Sequence, residues 1–183
     1  MELFQKILKT VFDFLQLIVM ALAVFVVCYL FVFQPSQVKG QSMDPNFKDG
    51  ELLITEKVTY RFRDPQRGEV IIFKSPKNPE VDYIKRVIAL PKDRVMLNNS
   101  VFYINGSPLK EDYIKVVTSA GAYLKEDQEI IIPEGYVLAI GDNRPHSSDS
   151  REFGPIKIDS IIGKAVFSYW PITSLGIITK ASY

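Results

Sequence analysis

The sequence predicts a mainly β domain carried on a single N-terminal transmembrane helix. Three observations lead there. Residues 14–33 form an apolar run in which Gln16 is the only strongly polar side chain. After Pro35 the chain becomes a series of short β-branched and aromatic segments punctuated by Gly, Pro, Asn and Asp, the pattern of strands and turns. Strands do not alternate with long amphipathic helices, which argues against a doubly wound α/β fold.

Taken in order, residues 1–13 are expected to be a short cytosolic segment and residues 14–33 the span. About 20 residues at ~1.5 Å each match a hydrocarbon core of about 30 Å. The run ends YLFVFQPSQ, without the small-residue site of a cleaved signal peptide. Lys6 and Lys9 before the span are nearly balanced by Lys39 and Lys48 after it, so charge favours a cytosolic N-terminus only weakly. Residues 34–183 form one β domain. Its strand segments are ELLITEKV, GEVIIFK, YIKRVIAL, RVMLNNSVFYING, EIIIPEGYVLAIGD and IIGKAVFSYW. The turn signals NNS and PEGY fall within them, and NGS straddles the end of one of them. Residues 94–130 read as a β-ribbon followed by a polar, weakly patterned loop with no assigned role.

Composition narrows the function. The chain has 183 residues, enough for one domain and an appendage, and 47% apolar content excludes a disordered polymer. Twenty-two basic and 21 acidic residues leave a net charge of +1, so no basic field recommends a nucleic-acid partner. The one cysteine, Cys28, lies in the apolar run, which excludes an intrachain disulfide and disfavours a cysteine nucleophile or a Cys/His metal cluster. A Ser-His-Asp triad has one candidate base, His146, flanked by Asp142 and Asp149, in a polar loop where a histidine is more often solvated. Asp142 and Asp149 read more naturally as turn-forming and ion-pair groups than as a carboxylate pair for hydrolysis.

GQSMDP places Ser42 just past the apolar run, and YIKRV places Lys85 among apolar residues. A lysine can take the proton of a serine hydroxyl once desolvation has lowered its pKa. Ser42 could equally cap a turn, and Lys85 could guard a strand edge. Lys85 and Arg86 point to opposite faces of a strand, which suggests one inward base and one solvated cation.

GQSMDP, YIKRVIALPKDRV and GDNRPHSSDSREFG, in this order and spacing, resemble the bacterial type I signal peptidases, in particular the single-span forms of Gram-positive members. The resemblance covers nearly the whole chain. It implies an extracytoplasmic domain of coiled antiparallel sheets with Ser42 as nucleophile and Lys85 as general base. Ser147 would orient the lysine, while Asp142, Asp149 and Arg151 would brace the site. The Ser42 N–H would bind the oxyanion, and Gly40 stands where some members place a second, serine donor. Met43, Tyr83 and Ile84 match pocket-lining positions for a substrate cut after Ala-x-Ala. The implied partners are exported preproteins and the lipid bilayer, with no cofactor, no metal and no nucleic acid; oligomeric state stays open. Asn46, Ala89 and Lys92 depart from the family's usual threonine and glycines, which keeps a non-catalytic, membrane-anchored β module as the alternative.

Overall fold

A computed structural model describes residues 1–183. Helix α1 (Glu2–Phe31) opens the chain. It starts well before residue 14 because Leu3, Phe4, Ile7, Leu8, Val11 and Phe12 continue the apolar surface between Lys6, Lys9 and Asp13. Its 30 residues rise about 45 Å, more than a hydrocarbon core of about 30 Å, so the charged first turns extend beyond the apolar stretch. No side chain of α1 is buried against the rest of the chain. An apolar helix with no protein partner fits a single-pass membrane anchor. Lys57 fixes its end: the Lys57 N–H donates to the Val32 carbonyl and Nζ to the Leu30 carbonyl, both at 2.9 Å. These bonds engage carbonyls that the last turn leaves open, and Phe33 begins a strand instead of closing the span.

Twelve strands follow. They are β1 (Phe33–Gln37), β2 (Leu52–Glu56), β3 (Val70–Lys74), β4 (Asp82–Ala89), β5 (Arg94–Asn98) and β6 (Val101–Ile104). The remainder are β7 (Ser107–Pro108), β8 (Ile130–Ile131), β9 (Tyr136–Ile140), β10 (Ile156–Lys157), β11 (Ile161–Trp170) and β12 (Gly176–Ile177). The main sheet has the order β1-β2-β11-β3-β4-β9-β10, with β12 added on β11; the smaller has the order β7-β6-β5-β8. Every strand pairing is antiparallel. Register shifts in β11 and between β4 and β9 mark bulges, which bend and twist the main sheet.

All six strand segments read from the sequence contain strands. β1 was hidden by Pro35, which reads as a breaker; at a sheet edge the missing N–H costs no ladder bond. In the β5–β6 hairpin Asn99 and Ser100 have φ of 48° and 68°, the left-handed pair of a tight hairpin turn. Lys92 has φ 70°, so it adopts the backbone conformation a glycine would take, and its N–H bonds the Ile132 carbonyl at 2.8 Å. Ala89 is fully buried.

Period-two alternation buries both faces of the central strands. From β3, Val70 and Ile72 join Met43, Phe47, Leu53 and Ile84, while Ile71 and Phe73 join Val87, Val137 and Ala139. Phe102, Leu97 and Ile104 of the small sheet pack with Leu124 and Ile132. This two-sided burial corrects one expectation: Arg86 is not solvated but 4% exposed, because Asp142, the Gly68 carbonyl and the Tyr113 ring cover its guanidinium. The loop after the ribbon also has a place. Leu124 is core, and the Tyr123 and Leu124 N–H groups donate to the Arg151 carbonyl at 2.9 and 3.0 Å.

Candidate active site

Ser42 lies in the loop between β1 and β2, and Lys85 in the middle of β4, 43 residues away. The bent main sheet brings them together: Lys85 Nζ is 2.7 Å from Ser42 Oγ and donates to the Ile84 carbonyl at 2.9 Å. Tyr83, two residues earlier and on the same face, sets its ring centroid 5.1 Å from Nζ. Lys85 is 3% exposed. Burial lowers its pKa from 10.5 to about 8; the Asp149 and Asp142 carboxylates oppose the shift and Arg151 adds to it.

The other residues singled out from sequence lie on the loop after β9. Asp142 accepts Arg86 Nε at 2.9 Å, Arg86 Nη2 at 2.6 Å and Asn46 Nδ2 at 2.9 Å. Asp149 is fully buried and accepts the Gly141 N–H at 3.0 Å and the Arg151 N–H at 3.1 Å. Arg151 also donates Nε and Nη2 to it, each at 2.9 Å. Asp149 and Arg151 therefore form a buried pair at the start of the short helix α2 (Ser150–Phe153), not a surface one. Ser147 Oγ is buried and makes no hydrogen bond, to Lys85 or to any other group. His146 is exposed, and its ring makes no hydrogen bond to Ser42, Asp142 or Asp149.

Gly141 shows how closely this loop packs under Ser42. A Cβ added there would collide with Ser147 Oγ and the Ser42 carbonyl oxygen. Gly141→Ala is therefore expected to lower kcat/KM by about 100-fold by displacing Ser42, and to destabilise the fold by about 1–3 kcal/mol through overpacking. Peptide cleavage and thermal unfolding of the same preparation measure both.

Ser42 and Lys85 line a cleft of about 650 Å³ together with Val38, Leu53, Ile72, Tyr83 and Ile84. Tyr83 and Ile84 border this cleft. Met43 does not line the cleft; it is fully buried in the apolar cluster beneath it, because it leaves the backbone on the core side of the Ser42 turn. Val38, Leu53 and Ile72 are lining residues that the sequence did not single out, since a strand pattern does not say which of its buried residues border a void. Gly40, at φ 83°, donates its N–H to Asp49 Oδ1 at 2.7 Å, so it supplies neither a side-chain donor nor a free N–H. The Ser42 N–H bonds no acceptor within the chain.

Two further residues hold the site. Arg144, fully buried, donates to the Gly141 carbonyl at 3.1 Å and pairs with Glu111 and Thr118, tying the loop after the ribbon to the loop after β9. Asn143 donates its N–H to the Ser42 carbonyl at 3.0 Å and Nδ2 to the Gln41 carbonyl at 2.9 Å. Both residues stand in GDNR, a turn signal that does not reveal which distant backbone it serves.

The profile of the family described as signal peptidase, peptidase S26, matches residues 11–170. Signal peptidase IB of Staphylococcus aureus (strain COL) is 34% identical over 178 residues, covering 90% of this chain and 92% of that protein. Signal peptidase I of Bacillus caldolyticus is 38% identical over 151 residues, covering 78% and 82%. A crystal structure of a signal peptidase I from Enterococcus faecalis V583 is 36% identical, with a TM-score of 0.48, covering 56% of this chain and 97% of that one. On the strength of the profile match and these two relatives, the chain belongs to the signal peptidase family, peptidase S26, and is a serine endopeptidase.

Proposed function

We propose that the protein removes signal peptides from exported preproteins at the outer face of the membrane, with Ser42 as nucleophile and Lys85 as general base. The observation that carries this reading is the 2.7 Å contact between Ser42 Oγ and a buried lysine whose pKa is lowered to about 8. A neutral amine at that distance takes the hydroxyl proton as Oγ bonds the scissile carbonyl carbon, and the carbonyl electron pair moves onto oxygen. The oxyanion is received by the Ser42 N–H. When it collapses, the C–N bond breaks and the Lys85 ammonium returns its proton to the leaving amine. A water deprotonated by Lys85 then hydrolyses the acyl-serine. The buried Ser147 hydroxyl, without a partner in the chain, is free to accept from Lys85 and so to orient it, and Asp142, Asp149 and Arg151 hold the loop that carries it.

The substrate lies extended in the cleft, its main chain against the free edge of β1 and alternate side chains turned into it. Val38, Ile72, Tyr83 and Ile84 give that space apolar walls, which suit alanine at the first and third positions before the cut. Helix α1 keeps the site at the bilayer surface, where the apolar segment of the substrate also resides, raising their effective concentration.

The test is a substrate series with the full chain in detergent. A preprotein ending its signal in Ala-x-Ala is expected to be cut once, after the second alanine. Leucine at that position is expected to reduce kcat/KM by at least about 100-fold, through a steric clash at the site of attack. Equal cleavage of both substrates would remove the small-residue reading.

A further inference from the structure

From outside the turn, the Gln41 and Ser42 carbonyls are held by one residue, Asn143. Besides the Asn143 N–H on the Ser42 carbonyl at 3.0 Å, the Asn143 side chain reaches one peptide further back, to the Gln41 carbonyl at 2.9 Å. The Gln41 oxygen has one other donor, the Asp44 N–H at 3.2 Å. That bond is internal to the turn and moves with it, so it gives the turn no reference to the rest of the protein.

The Gln41–Ser42 peptide is trans, the cis bonds being Asp44–Pro45 and Trp170–Pro171. In a planar trans peptide the C=O and N–H point in opposite directions. Whatever holds the Gln41 oxygen therefore also aims the Ser42 N–H, away from Asn143. That N–H makes no hydrogen bond within the chain, while the nearby Gly40 N–H is taken by Asp49.

Asn143 is itself well anchored. Asp142 before it is held by Arg86 and Asn46, and the Gly141 N–H is held by Asp149. The Asn143 carbonyl accepts the His146 N–H at 3.0 Å. Asn46 and Asn143 cross-link the two loops in opposite senses: Asn46 Nδ2 donates from the Ser42 loop to Asp142, and Asn143 Nδ2 donates back to Gln41.

We propose that Asn143 is a positioning residue that sets the direction of the Ser42 N–H, and thereby preorganises the donor for the oxyanion. It rests on the reading of Ser42 as nucleophile. A donor aimed before the reaction needs no reorganisation when charge develops, so its alignment acts on the transition state rather than on the bound substrate. In Asn143→Ala the backbone bond to Ser42 persists and only the Gln41 bond is lost. In Asn143→Asp the size is kept, but the donor becomes an acceptor facing a carbonyl oxygen.

The experiment compares parent, Asn143→Ala, Asn143→Asp and Ser42→Ala. Each is the full chain in detergent, assayed at a temperature where circular dichroism shows it folded. Removing one oxyanion donor costs about 10²–10³ in kcat; mis-aiming one held by a second bond is expected to cost about 10- to 100-fold in Asn143→Ala. The loss in Asn143→Asp should be at least as large. KM is expected to stay within about twofold, because the ground state does not use this donor. The inhibition constant of a peptide boronate, which forms a tetrahedral adduct on the serine, should rise by the same factor as kcat falls. The pH midpoint of the rate should not move, because Asn143 does not touch Lys85. A kcat within threefold of the parent in both variants overturns the proposal, as does a loss carried by KM or a displaced pH midpoint. Retained activity in Ser42→Ala would instead overturn the nucleophile assignment, so the two failures are distinguishable.

Discussion

Lys85→Met is expected to abolish cleavage while leaving a folded domain at least as stable as the parent at pH 7. The loss should be at least about 10⁴-fold in kcat, and Ser42→Ala should match it, since removing either member of a nucleophile–base pair disables the unit. The stability follows from burial. Lys85 is 3% exposed, and desolvation lowers its pKa to about 8. Between about 8 and the unfolded value near 10.5, the unfolded chain binds the additional proton. Stability due to Lys85 therefore rises with pH through that window and is lowest below it. An apolar side chain of similar length removes this cost. In the parent, the same pKa sets the activity profile. Only neutral Lys85 accepts a proton, so kcat/KM is expected to rise about tenfold per pH unit below about 8 and to level above it. The exposed His146 makes no bond to Ser42, and His146→Ala should leave both the plateau and the midpoint in place. A flat profile from pH 6 to 9, or substantial activity in Lys85→Met, would sink the lysine-base mechanism.

Asp149→Asn is expected to act on stability and on pH dependence together. Asp149 accepts four N–H bonds and is fully buried, with two of those bonds from the Arg151 guanidinium. The amide keeps the shape but leaves the 3%-exposed Arg151 without its counter-charge, which costs about 3–5 kcal/mol when one partner of a buried pair is removed. Urea unfolding measures this. The carboxylate also holds the Lys85 pKa up against desolvation. Its loss should move the rate midpoint below about 8, so the surviving enzyme retains a larger share of its plateau rate at neutral pH. A midpoint displaced upward, or destabilisation under about 1 kcal/mol, would contradict the bracing role.

The strands of this domain were legible because each announces itself locally. Alternating β-branched residues between Gly, Asn and Pro need no distant partner to be recognised, and six segments contain strands as read. β1 was not legible, since Pro35 breaks the local pattern and only the edge position makes it harmless. The extent of α1 was also hidden. Lys6, Lys9 and Asp13 look like the end of an apolar run, yet a helix tolerates them where they project beyond the hydrocarbon core.

Ser42, Lys85, Asp142, Asp149 and Arg151 could be named in advance because their short motifs are contiguous. Arg86 was misjudged for the opposite reason. Strand alternation gives its face correctly, but whether that face meets water depends on what packs over it, the Tyr113 ring and Asp142, 56 residues later. Met43 likewise adjoins Ser42 in sequence and turns away from the cleft in space.

By itself, then, the sequence determined the anchor, the mainly β domain and the family, and it singled out Ser42 and Lys85 as candidates, all properties written in neighbouring residues. The tertiary structure alone decided that Lys85 is dry and within 2.7 Å of Ser42, that Arg86 is buried, that Gly141 can be nothing larger, and that Asn143 holds the Gln41–Ser42 peptide. Those depend on the closeness of segments about 40 to 100 residues apart, and on the low dielectric between them, which no local pattern encodes.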